Sequence, residues 1–479
     1  MHQTKAGCRL RNTALGALTL AVMGCSSFSA DGGFGSVEQV ARERLNKDLA
    51  WTRTEEQQQS AADRVSQLLG KPLSVDDAVQ IALLNNKGLQ ASFSELGISE
   101  ASLVQAGRLP NPHFAMTRTS LVEGGVRHYS IEQSLTINVL ALLTMPQLLS
   151  VERRRFEQMQ RTTAIEVLRI ASETRKAYLS AVAAEQSMRY MRDVNEVAEI
   201  GADLARRMRE VGNWNALLQA REQAFYADAT LNLARAAQIR VSTRERLTRL
   251  LGLSGSQTEF ELPDRLPDLP SEPTDLPDAE QRAMTQRLDL QAIRIETDAL
   301  ARNLGLSRAT RFINVLELGP ARERDGPSGA PWSKGYEISF DLPIFDFGTA
   351  KVARAEAIYM QALNRGAEAA VNARSQVREA YLAYRSGFDV ARHYRDEIVP
   401  LRKRIADETL LRYNGMLIGV FELLADARGQ IASVNGSIDA LRDFWIAEAD
   451  LDMAMIGPSS MNPPRVASAA SGGGAGLAH

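Results

Sequence analysis

The chain contains a long internal duplication, and the copies are helices. Ala177-Tyr178-Leu179 returns as Ala380-Tyr381-Leu382, Arg175 as Arg378, Arg209 as Arg412 and Gly212 as Gly415, each pair 203 positions apart. A common offset held across nearly forty positions marks a repeat. Beyond the glycine the register slips, because Gln219-Ala220-Arg221 matches Asp426-Ala427-Arg428 at 207. That slip predicts a first copy about four residues, or one helical turn, shorter at its tip.

Each copy reads as helix, glycine-bearing turn, helix. The first runs from about Pro146 to Val211 and, after Gly212, to about Leu251. The second runs from about Gly348 to Asn414 and, after Gly415, to about Met455. In the first, Ala177, Ala181, Ala184, Met188, Met191, Asn195, Ala198, Ala202 and Ala205 fall at steps of four and three, a heptad seam. Ala380, Tyr384, Gly387, Ala391, Tyr394, Ile398, Leu401 and Ile405 repeat it. At about 1.5 Å per residue, sixty-odd residues make a rod on the order of 90 Å, longer than a compact domain uses. Pro400 falls inside the second rod and predicts a bend or interruption there.

Ahead of each long helix the period changes to two. Phe114, Met116 and Arg118 alternate with Ala115, Thr117 and Thr119; after the Glu123-Gly124-Gly125 turn, Ile131, Gln133, Leu135 and Ile137 alternate with Glu132, Ser134 and Thr136. The second copy has Arg311 to Leu318, then Tyr336, Ile338, Phe340 and Leu342 alternating with Glu337, Ser339 and Asp341. One apolar and one polar face suit a barrel wall between lipid and water, or a small soluble sheet packed on helices. Four strands cannot close a barrel. In lipid their edges would be satisfied only by neighbouring copies of the chain.

The N-terminus addresses the chain. Lys5, Arg9 and Arg11 precede an apolar stretch that ends Val22-Met23-Gly24-Cys25, a secretion signal over residues 1–24 with a lipobox-like end. Cleavage before Cys25 would leave a fatty-acylated cysteine, the covalent lipid being the one non-protein group expected. Ser26, where inner-membrane retention would favour Asp, points to the outer membrane. The other cysteine, Cys8, lies in the removed segment, so the mature chain forms no internal disulfide. No later apolar run approaches the ~20 residues of a spanning helix. A net charge of -2 gives no argument for nucleic acid. An aromatic share of 6% argues against a large single-chain barrel, whose girdles are rich in such residues. Five scattered histidines show no metal-ligand spacing, and no phosphate loop or nucleophile elbow occurs. Neither catalysis nor a bound metal is expected.

These features together resemble one family. Leu73-Ser74-Val75-Asp76-Asp77-Ala78 and Gln105-Ala106-Gly107-Arg108-Leu109-Pro110-Asn111-Pro112 are similar to the opening helix and the approach to the first strand in the TolC family of bacterial outer-membrane efflux proteins. Leu342-Pro343-Ile344-Phe345-Asp346-Phe347-Gly348 resembles that family's strand-to-helix corner. Arg209-Glu210-Val211-Gly212 and Arg412-Tyr413-Asn414-Gly415 resemble its periplasmic turns. The resemblance covers about Leu73 to Gly457.

It implies a mainly α fold with a small β part: duplicated coiled-coil hairpins and four strands per chain. Three chains would form a twelve-stranded outer-membrane β-barrel continued by a periplasmic α-helical tunnel. The implied function is a passive exit duct for small molecules or ions, joined by a periplasmic adaptor to an inner-membrane pump. A protein-secretion duct and a lipid-anchored scaffold without a pore are the alternatives. Arg209, Gly212, Arg412 and Gly415 are the expected adaptor-docking tips. Pro343, Phe345 and Gly348 form the corner, where Pro stops pairing and Gly permits an unusual backbone angle. Asp407, Glu408, Glu422 and Asp426 are candidate gate charges. The expected organisation is a lipid-anchored lead over 25–72, repeats over 73–253 and 280–457 with an extended linker over 254–279 between them, and a disordered tail over 458–479.

Overall fold

The computed structural model describes residues 27–459 except Asn314 and Ser328. The expected signal peptide, the expected lipid site Cys25 and nearly all of the expected tail lie outside the described residues. Among the described residues, eleven α-helices and four strands follow in order. They are α1 (Phe34–Leu45), α2 (Glu55–Leu69), α3 (Val75–Asn85), α4 (Lys87–Ala106), β1 (His113–Glu123), β2 (Val126–Asn138), α5 (Val139–Glu210) and α6 (Ala216–Leu251). Then come α7 (Ala279–Gln286), α8 (Leu288–Ala309), β3 (Leu316–Gly326), β4 (Ser333–Phe340), α9 (Thr349–His393), α10 (Val399–Asn414) and α11 (Val420–Ile456). These form two compact units. The first draws on residues up to Val65, Leu83–Leu168 and Arg287–Asn372; the second on Ser66–Ala82, Arg169–Gln286 and residues from Ala373 onward. Each repeat contributes to both units.

In the first unit the four strands make one antiparallel sheet in the order β1-β2-β3-β4. The third strand lies further along the chain than the expected Arg311 to Leu318. α8 runs on to Ala309, and Arg311 is held under the turn into α9, so pairing begins only at Leu316. The β2–β3 ladder lapses opposite Gly319 and Pro320, where proline has no N–H to give. A Cβ at Gly319 would come within 2.7 Å of the Thr136 Cα. Only glycine fits this approach. α5 also starts earlier than expected. Asn138 Oδ1 accepts from the Ala141 amide at 2.8 Å. That bond caps the helix ahead of Pro146 and leaves the proline inside it.

The lead is more ordered than its polarity implied. Phe34, Val37 and Ala41 recur at helical spacing, and Phe34 packs edge-on against Phe93 with centroids 5.0 Å apart, a favoured geometry for aromatic pairs. The Ser29 amide and hydroxyl both donate to buried Glu100.

In the second unit the repeated tyrosines share one task. Tyr178 donates its buried hydroxyl to the Leu73 carbonyl at 2.8 Å, tying α5 to the chain that enters the first repeat. Tyr381, its copy, donates to Asp275 Oδ1 at 2.6 Å, just before the second. Burial, helped by the charge of Asp77, pushes the Tyr178 hydroxyl up to about 12, so it stays a donor. The linker is strapped to the helices at several points. Trp445 Nε1 donates to the Pro267 carbonyl at 3.1 Å, and Tyr384 Oη accepts from the Thr274 amide at 2.9 Å.

The interruption expected at Pro400 is a π turn over Tyr394–Ile398, leaving Pro400 in the first turn of α10. A π turn takes up one extra residue, which moves every later position one step round the helix. The expected seam therefore fails beyond Ile398: Leu401 and Ile405 are 50% and 37% exposed, and from there to the end of α10 the half-buried positions are Arg402, Ala406, Thr409 and Tyr413. The partner helix records the same shift. Gly429 and Gly436 of α11, seven apart, take Arg402 and Tyr394, which are eight apart. Along α5, by contrast, every seam position from Ala177 to Ala205 is buried or half-buried.

Candidate functional site

The two helical tips are built alike but not as the sequence aligned them. After α5, Gly212 takes φ +79° and its amide donates to the Arg209 carbonyl, while the Asn213 amide donates to Met208. After α10 the left-handed residue is Met416, at φ +59°, whereas Gly415 has an ordinary φ of -79°. The Met416 amide donates to the Tyr413 carbonyl and the Leu417 amide to Arg412, so the turns superpose at an offset of 204. The residue gained is the one absorbed by the π turn. Both tips are five residues long, 211–215 and 415–419, so the first is not trimmed. Asn215 caps α6 by accepting from the Leu218 amide at 2.9 Å, the bond an N-cap side chain makes.

Around these turns both arginines are already engaged. Arg209 Nη1 donates to Gln219 Oε1 at 2.5 Å. Arg412 Nε lies 3.1 Å from Glu408 Oε1, one helical turn back, so a docking candidate and a gate candidate form one exposed pair. Asp407 and Glu422 are exposed and Asp426 is half-buried. Met416 and Leu417, 94% and 77% exposed, make the second tip apolar at its end.

A buried ion pair near Asp426 was not foreseen. Glu222 of α6, 1% exposed, takes Arg428 Nη2 of α11 at 3.1 Å, and the guanidinium also sits 4.3 Å from the Phe225 ring centroid. Glu222 and Ala229 are both buried and lie seven residues apart on α6, so the spacing of the carboxylate from an alanine was the available signal.

The corner is a constrained backbone. Gly348 takes φ +70°, its amide donates to Asp346 Oδ1 at 2.8 Å, and its carbonyl accepts the first bond of α9 from Val352 at 3.1 Å. A Cβ there would lie 3.0 Å from the Arg311 Cα and closer still to its carbonyl oxygen. Phe345, Leu342 and Ile344 stand out from the chain, Phe345 fully exposed. Pro343 lies just beyond the end of β4.

The sheet segregates charge by face. Alternation and register put Phe114, Leu135, Ile137, Leu318, Tyr336, Ile338 and Phe340 on one face, all at least 40% exposed. The strand cations Arg118, Arg127, Arg322, Arg324 and Lys334 share that face. The opposite face carries Glu132, Glu317, Glu323, Asp325 and Glu337, with Glu132 directly opposite Glu323. The outer edges of β1 and β4 pair with no strand among the described residues.

No protein-family model matches the chain. The cobalt-zinc-cadmium resistance protein CzcC of Cupriavidus metallidurans is 25% identical to it over 276 residues, which are 57% of this chain and 64% of CzcC. This chain thus spans a little under two thirds of that relative. A solved membrane protein of Pseudomonas aeruginosa shares the fold with a TM-score of 0.67 at 18% identity, over 80% of this chain and 93% of that one. The open state of the Neisseria gonorrhoeae MtrE outer membrane channel gives 0.65 at 17%, over 80% and 89%. The fold is therefore that of the outer-membrane channel proteins. The sequence match to CzcC and the order of the motifs agree with the resemblance to the TolC family of outer-membrane efflux proteins.

Proposed function

We propose that three copies of this chain form an outer-membrane channel, the passive exit duct of a tripartite efflux system. The observation that carries the reading is the sheet. One face is exposed, mostly apolar and holds the strand cations, the other is acidic, and both outer edges lack a partner strand among the described residues. A lone chain therefore leaves backbone and apolar surface unmatched. Three copies joined edge to edge would close the wall with lipid outside and water inside. In this reading Cys25 carries the lipid anchor. A periplasmic adaptor seats on the tips around Arg209, Gly212, Arg412 and Gly415, an inner-membrane pump supplies the energy, and no catalytic step belongs to this chain.

Cations are the favoured cargo. Five carboxylates per chain would line the aqueous side of the sheet, and CzcC is named for resistance to cobalt, zinc and cadmium. A non-pore scaffold gives no role to the exposed apolar face. The test is conductance of the purified protein in a planar bilayer under a salt gradient. The expected result is an open channel whose reversal potential favours cations, reduced when Glu132 and Glu323 become Gln. A water-soluble monomer without conductance would refute the channel, and a conducting trimer with anion preference would refute the cation assignment.

A further inference from the structure

We propose that the cations on the apolar face of the sheet form a belt that binds the phosphates of anionic lipid headgroups. The inference rests on the reading of this face as membrane wall. Arg322 and Lys334 are direct partners across β3 and β4. Arg322 also faces Gln133 of β2, and Nε donates to Gln133 Oε1 at 2.8 Å. One row further, Ile131 stands between Arg118 and Arg324. Like charges set side by side on a sheet repel and destabilise it. The strand carboxylates that would neutralise them point to the other face. The belt is therefore built for an anion from outside the chain.

Its position says which anion. The row of Phe114, Leu135, Pro320 and Tyr336 lies two residues below Arg322. Two residues of strand are a short step, on the order of 7 Å. Arg322 and Arg324 lie over the Trp332 ring at 4.7 and 5.2 Å, and Arg118 over Tyr129 at 4.8 Å. Tryptophan and tyrosine with arginine at the rim of an apolar band are the composition of a membrane–water interface. A guanidinium fork matches phosphate oxygens in pairs. Arg324 and Lys334 lie toward the turn between β3 and β4 and Arg118 midway along β1, all on the hairpin side of the row of Phe114 and Tyr336, whereas the helices join beyond that row, so the belt meets one leaflet.

The test places the trimer in vesicles of phosphatidylcholine mixed with phosphatidylglycerol, with one lipid at a time brominated to quench tryptophan. Trp51→Phe, Trp214→Phe and Trp445→Phe leave Trp332 as the reporter. Brominated phosphatidylglycerol should quench it at a roughly fivefold lower share of the mixture than brominated phosphatidylcholine, a preference that high salt removes. Changing Arg118, Arg127, Arg322, Arg324 and Lys334 to Gln should abolish the preference, and changing the four arginines to Lys should keep most of it. Equal, strong quenching by both lipids would overturn the belt while leaving the wall intact. Quenching by neither would overturn the wall itself. If the triple Phe variant fails to assemble, lipids retained by the unmodified trimer on extraction from mixed vesicles, counted by mass spectrometry, decide in the same way: enrichment of phosphatidylglycerol lost in the Gln variant upholds the belt, and equal retention overturns it.

Discussion

Gly348 is the residue at which one added methyl group should do most harm. Its φ is +70°, a backbone state that costs a residue with a Cβ about 1–2 kcal/mol. The Cβ would also stand 3.0 Å from the carbonyl carbon and Cα of Arg311, well inside ordinary contact, and the obstacle is backbone that cannot rotate away. Relief needs a shift of Arg311 or of the first turn of α9, an overpacking that costs about 1–3 kcal/mol. Gly348→Ala should therefore lose about 2–5 kcal/mol, and Gly348→Val more, because a β-branched side chain resists positive φ further. The measurements are trimer yield in detergent and the unfolding midpoint of the purified protein. Two controls separate the causes. Gly124 has positive φ but open space. Gly124→Ala should therefore carry only the backbone cost of about 1–2 kcal/mol. Gly335 has neither constraint, so Gly335→Ala should be near neutral. Normal yield and midpoint for Gly348→Ala would refute the argument from the corner.

The tips give a second contrast, because Gly212 has positive φ and Gly415 does not. Gly212→Ala should cost about 1 kcal/mol, whereas Gly415→Ala should change little, and Met416→Gly should be neutral or stabilising by up to about 1 kcal/mol. Equal losses at Gly212 and Gly415 in a chemical denaturation series would restore the 203 alignment. In the buried pair, Arg428→Ala leaves the Glu222 carboxylate stranded. It should cost about 3–5 kcal/mol, more than Glu222→Ala, which strands only the better-exposed partner; the reverse order of unfolding midpoints would contradict this. Asp31 adds a pH dependence: the Gly35 amide foremost, then that of Gly33, outweighs burial and holds its carboxyl below the ordinary value. Its stabilisation of the lead is present above about pH 3.9 and is lost as pH falls through the lowered folded value. Asp31→Asn should thus flatten the acid limb of unfolding followed by Trp51 fluorescence, and an unchanged acid limb would dismiss the effect.

Much of the fold was legible because long elements repeat their signal. The seam of α5 extends over many turns, and each alanine in it reports the same buried face. The strands β1, β2 and β4 were readable from alternation alone. β3 was not, because Arg322-Glu323-Arg324-Asp325 alternates in charge rather than in polarity, and Pro320 reads as a strand breaker. The lead was missed because Phe34, Val37 and Ala41 make only a short stripe in a polar segment.

By itself the sequence determined the duplication, the rods, the break at Pro400 and the two-faced strands, since each follows from the spacing of side chains along one segment. Only the tertiary structure decided how the copies correspond. The same break admits either a kink or a π turn, and the choice of a π turn moves the second seam by one residue and makes Met416, not Gly415, the counterpart of Gly212. It also decided that all strand cations share one face and the carboxylates the other, because that depends on the register between strands far apart in the chain.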